Sequence, residues 1–149
     1  MRVLLSVLCL TWALPAAGQE LPERYVRGDV GMAVEVPWLG ARAGWLLDEG
    51  EVGLDLGLAG SPGEGLMALT GGFEARAASG SVVSPFLRAE VGGLVHSERL
   101  FHGVVSLGGG LAVRVHRSWA LRGGLMYSLH LGDLINGPDY LFVGLEHRW

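Results

Sequence analysis

The chain contains no lysine, so all eleven of its basic residues are arginine. Without lysine there is neither a Schiff-base nucleophile nor a phosphate-binding P-loop, and the closely spaced glycines of "GLAGSPGEG" read as a plain loop. Cysteine occurs once, at Cys9, inside an N-terminal segment expected to be removed. The remainder therefore has no thiol nucleophile and no disulfide scaffold. A net charge of −4 excludes an electrostatic grip on nucleic acid. Beyond residue 19 no apolar run is long enough to form a membrane-spanning helix.

The N-terminal segment follows a recognisable logic. Arg2 precedes the apolar run "VLLSVLCLTWAL", Pro15 breaks it, and small Ala16 and Gly18 stand at the −3 and −1 positions of a cleavage site before Gln19. The run is shorter than the ~20 residues that span a bilayer. Residues 1–18 are thus expected to form a cleaved export signal, and residues 19–149 a single domain.

What the sequence has in abundance is glycine, 25 residues. Each glycine in a helix interior costs about 1 kcal/mol relative to alanine, so the surplus favours strands and crowded backbone. The dominant period is two. From Phe101 to Val115 the odd positions include Phe101, Val105, Leu107, Leu111 and Val113, and the even ones His102, Ser106, Gly108, Gly110 and Arg114. Trp119 to Leu131 repeats the pattern. The same template predicts eight strands, at 25–37, 41–47, 51–60, 65–77, 82–96, 101–115, 119–131 and 139–149. The links are short and carry turn residues, which implies an antiparallel up-and-down meander. Closing it into a barrel leaves no free edge.

Alternation alone does not separate a soluble barrel with a greasy pocket from a membrane barrel with a greasy exterior. Volume does. An eight-stranded barrel is only just wide enough inside for side chains to fill it. The bulky face (Val26, Val30, Met32, Val34, Val36, Leu54, Leu56, Leu69, Phe73, Leu87, Val91, Leu107, Leu145) would overfill that space, whereas the opposite face is rich in glycine, including Gly31, Gly57, Gly72, Gly92, Gly108, Gly124 and Gly144. The glycine face is predicted to point inward. It also carries Asp29, Glu35, Glu51, Asp55, Glu74, Glu90 and Glu146 against Arg27, Arg42, Arg76, Arg88, Arg114, Arg122 and Arg148. Buried charges must be paired, and a balanced set of carboxylates and guanidinia meets that demand.

The segments "PFLRAEVGGLV", "GVVSLGGGLAVRVHRSWALRGGLMYSL" and "YLFVGLEHRW" resemble the last four strands of the small eight-stranded outer-membrane β-barrels of Gram-negative bacteria, the OmpA/OmpX-like group. The likeness covers residues 25–149. It implies an all-β, eight-stranded antiparallel up-and-down transmembrane β-barrel in the outer membrane, with lipid and the barrel-assembly machinery as its partners and a monomeric state. It further implies that Trp149, on the face of Leu141, Val143 and Leu145, is the assembly signal, although His147 stands where that family usually has an apolar residue. Periplasmic termini, external loops at 37–40, 60–65, 97–101 and 132–139, and Trp119 and Trp149 in a periplasmic aromatic girdle also follow.

Sites for chemistry are sparse, and no cofactor is expected. His96, His102 and His130 fall on the inward face of adjacent strands, where three imidazoles could hold Zn²⁺ or Cu²⁺, but no short-range ligand spacing supports this. Ser128 and His130, with Asp133 following, are the residue types of a lipid A-modifying enzyme, but Ser128 and His130 are expected to face the lumen instead of the lipid. The expected function is a structural, adhesion or interaction role in the envelope, with a charge-filled lumen and no wide pore. A lipid A-modifying enzyme and a secreted soluble barrel for a hydrophobic ligand are the alternatives.

Overall fold

The computed structural model describes residues 23–33, 36–47, 51–61, 63–78, 80–96, 99–131 and 140–149. The expected export signal (1–18), Glu35, Asp133 and the 132–139 loop lie outside them. Eight strands follow in order: β1 (Glu23–Ala33), β2 (Val36–Leu47), β3 (Val52–Ser61), β4 (Leu66–Arg76), β5 (Val83–His96), β6 (Arg99–His116), β7 (Trp119–Leu131) and β8 (Tyr140–Arg148). Each pairs antiparallel with its chain neighbour, and β1 pairs with β8 to close the barrel. Closure extends to the end of the sequence, where Arg24 and Trp149 exchange backbone N–H···O bonds of 3.0 Å in both directions. The seam therefore stays paired as far as Trp149, and backbone pairing of this kind is what a sheet in hydrocarbon requires.

One element departs from the sequence reading. β1 ends at Ala33, and "PWLG", expected as an external loop at 37–40, lies inside β2. Pro37 faces Met32 at the very start of β2, where a missing ladder N–H costs least. Placing the turn ahead of Val36 also changes which parity points out. Val36, expected on the lipid face, lines the lumen with Trp38. The other strand ends fall within two residues of expectation, and β7 matches at both ends.

The arrangement of polarity is the reverse of a soluble protein. On β5, Leu87 is 72% exposed and Val91 62%, while Arg88 and Glu90 between them are 4% and 5% exposed. Inside, the apolar core is one small cluster of Phe86, Ala112, Met126 and Phe142. Glycines on the inner wall make room for the long charged side chains. A Cβ on Gly57 would stand 2.6 Å from Arg42 Nη1, and one on Gly72 2.6 Å from Asp55 Oδ1. Glycine at these positions is a matter of space, since Gly57 pairs directly with Arg42 and Gly72 with Asp55 on the neighbouring strand, where a methyl would meet the charged side chain.

Candidate functional site

The half of the lumen beside the termini is filled by a network centred on two carboxylates. Glu146 on β8 accepts from Arg27 (2.8 Å), Arg76 (2.8 and 2.9 Å), Arg122 (3.0 Å) and Arg148 (2.7 Å). Glu74 on β4 lies 2.7 Å from Arg76, 2.9 Å from Arg122, 3.2 Å from Arg88 and 3.3 Å from Arg27. Neither carboxylate retains any contact with solvent. The Arg122 guanidinium also lies 3.9 Å above the Phe86 ring, which supplies the face of a cation–π pair.

Tyr25 belongs to this tier, although sequence reasoning missed it. Its hydroxyl donates to Asp55, and Arg27 and Arg76 approach its ring at 5.1 and 5.8 Å. The signal was available: Tyr25 stands two residues before Arg27, on the same side of the strand.

A second tier lies farther from the termini. Arg88 grips Asp55 through both terminal nitrogens (2.8 and 2.6 Å) and reaches Glu90 through Nε at 2.5 Å. Arg42 joins three elements, donating to Asp29 (3.3 Å), Thr70 (3.1 Å) and Glu90 (3.2 Å). Asp29, Arg27, Glu74, Arg76, Arg88, Glu90, Arg122, Glu146 and Arg148 thus form one connected set through Arg88. Arg114 is half-buried near the termini and donates to Gly80 O at 3.4 Å. Glu51 is a correction: it is exposed in the turn before β3, because the strand begins only at Val52.

Above the second tier the described side chains leave the lumen unfilled. A cavity of about 480 Å³ is walled by Trp38, Leu66, Leu94, Val104 and Phe142 and floored by Asp29, Arg42 and Glu90. The expectation that side chains would fill the whole interior fails here. The residues that could have filled it are small (Gly31, Gly40, Ala59, Ala68).

The other sequence candidates fare differently. His102 is half-buried on the inward side of β6, while the side chains of His96 and His130 lie outside the described residues. Among the described residues no group of three metal-ligating side chains comes together. Ser128 Oγ is buried in the lumen and hydrogen-bonded to Ser106 Oγ at 2.8 Å. On the outer wall, His147 is packed between aromatic rings, with centroids 4.4 Å from Trp119 and 5.6 Å from Trp149, and its Nδ1 lies 3.2 Å from Ser118 O. A polar residue on the lipid-facing side is thereby covered by indole rings.

An apolar belt around a closed eight-stranded meander with its charges inside defines a transmembrane-type β-barrel. The backbone is similar to the N-terminal β-barrel domain of Pseudomonas aeruginosa OprF, with a TM-score of 0.74 and 13% identity over 88% of this chain and 100% of that one. It is also similar to a de novo designed transmembrane β-barrel (TM-score 0.65, 14% identity, 88% of this chain and 98% of that one). Neisserial surface protein A gives a TM-score of 0.61 at 11% identity, over 85% of this chain and 95% of that one. No family model and no curated protein matches the sequence. The likeness is one of fold: that of small outer-membrane β-barrels, as the OmpA/OmpX-like resemblance implies.

Proposed function

We propose that the chain is a small outer-membrane β-barrel of a Gram-negative envelope, exported by a cleaved signal, monomeric, and serving a structural or interaction role instead of forming a wide pore. The observation that carries this reading is the inverted polarity of the wall. Soluble proteins rarely expose apolar patches beyond a few hundred Å², whereas here exposed leucine, valine, methionine and aromatic side chains occur on all eight strands. Burying that belt in lipid satisfies it.

Two features support the finer parts of the proposal. The ion-pair tier around Glu74 and Glu146 blocks the passage beside the termini, so no continuous aqueous path is expected. Trp45, Trp119 and Trp149 lie outward near the same end, where a membrane interface favours amphipathic rings. Trp149, stacked with His147, is the residue we assign as the contact for the barrel-assembly machinery.

The test combines fractionation with gel mobility. Recovery in the outer membrane, with a band that shifts on boiling, is expected; recovery as a soluble periplasmic protein would refute the proposal. In planar bilayers the folded protein is expected to give no stable conductance, and nanosiemens channels would remove the sealed-lumen part.

A further inference from the structure

We propose that the unfilled half of the lumen is a binding site for a small amphipathic cation, an apolar or aromatic body carrying one protonated amine. This rests on the barrel reading above and goes beyond it. Three independent observations converge on that chemistry.

The first is space. About 480 Å³ lies within the range of small-molecule pockets, roughly 300–1,000 Å³, and the walls are mainly apolar. The second is an unused acceptor at the floor. Asp29, which borders the cavity, accepts from Arg42 through Oδ2, while its Oδ1, buried against Gly144 on β8, has no hydrogen-bond partner. A buried carboxylate oxygen without a donor is costly, and an ammonium group supplies that donor with the matching charge.

The third is the distribution of charge. In the tier around Glu74 and Glu146, Arg27, Arg76, Arg122 and Arg148 face two carboxylates, leaving an excess of positive charge. At the floor of the cavity itself the charged lining residues are Asp29 and Glu90 against Arg42, one negative charge in excess. Arg42 is not free to attract an anion, because all three of its guanidinium nitrogens are engaged with Asp29, Thr70 and Glu90. Trp38, Tyr140 and Phe142 border the same space, and aromatic faces attract cations.

The experiment uses the full barrel in lipid nanodiscs and three matched probes: 4-phenylbutylamine, 4-phenylbutanol and 4-phenylbutyrate. Calorimetry against empty nanodiscs is expected to give saturable one-to-one binding of the amine, weaker binding of the alcohol and weakest binding of the carboxylate. Asp29→Asn is expected to weaken the amine at least tenfold and leave the alcohol unchanged. Ala68→Leu, which fills the wall, is expected to abolish binding of both. The mobility shift on boiling monitors folding of each variant, so a folded barrel that fails to bind overturns this inference while leaving the barrel reading intact. Equal affinity for all three probes, or amine binding unaffected by both substitutions, would overturn it as well.

Discussion

The two halves of the lumen are lined by the same eight strands, yet they handle the same geometric problem in opposite ways. Towards the termini, Arg27, Arg76 and Arg122 converge on Glu74 and Glu146, and just beyond them Gly57 and Gly72 leave space that the Arg42 and Arg88 guanidinia occupy. Away from the termini, Gly31, Gly40, Ala59 and Ala68 line a cavity of about 480 Å³ that the described side chains leave open. Small residues by themselves therefore do not make a cavity. They make one only where the neighbouring strands supply nothing to cross the gap. A barrel can thus be sealed at one end and receptive at the other without any change of architecture.

The largest expected effect breaks the filled half. Glu146→Ala leaves four arginines around a buried vacancy, and an uncompensated buried charge costs about 3–5 kcal/mol. Urea unfolding in lipid vesicles, followed by gel mobility, should show that loss. A double variant that also carries Arg27→Met should recover part of it, because it removes one of the stranded charges. Absence of any recovery would mean that the network is not coupled as the distances imply.

Next in size is Gly72→Ala. The added methyl meets Arg88 and Asp55, and overpacking of this kind costs about 1–3 kcal/mol. Gly28→Ala is the control, since a Cβ there meets nothing within 4 Å. Equal midpoints for the two would contradict the role assigned to the inner glycines. In the receptive half, Ala59→Leu projects into open space and should change stability by less than about 1 kcal/mol. A loss as large as that of Gly72→Ala would show that the cavity is already occupied.

His147 tests the outer wall beside the filled half. Removing its ring in His147→Ala should cost about 0.5–1.5 kcal/mol, the worth of an aromatic pair. His147→Tyr, which keeps a ring between Trp119 and Trp149, should fold into vesicles at least as fast as the parent chain. Slower folding of the tyrosine variant would argue that the imidazole contact with Ser118 O matters more than stacking.

Much of this was legible in the sequence because a β-barrel in lipid is governed by a local rule. Alternation assigns every residue to a face, and the bulk of one face against the glycine of the other says which face is outside. β7 could be read to the residue from "WALRGGLMYSLHL" alone. The failure at "PWLG" came from treating Pro37 and Gly40 as turn residues. Near the start of a barrel strand proline loses little, and on an inner wall glycine is a spacer, so neither carried its usual meaning. Trp38 was hidden by the same error.

The sequence by itself determined the strand number, the polarity of the wall and most of the charges that meet inside, because each follows from period-two alternation and from the cost of burying an unpaired charge; Glu51, exposed in a turn, was the exception. Only the tertiary structure decided which arginine reaches which carboxylate, that Tyr25 joins them, and that part of the lumen stays open among the described residues. Those depend on the stagger between strands distant in sequence, such as β1 against β8. That stagger sets the height of each side chain along the barrel axis and is written in no single segment.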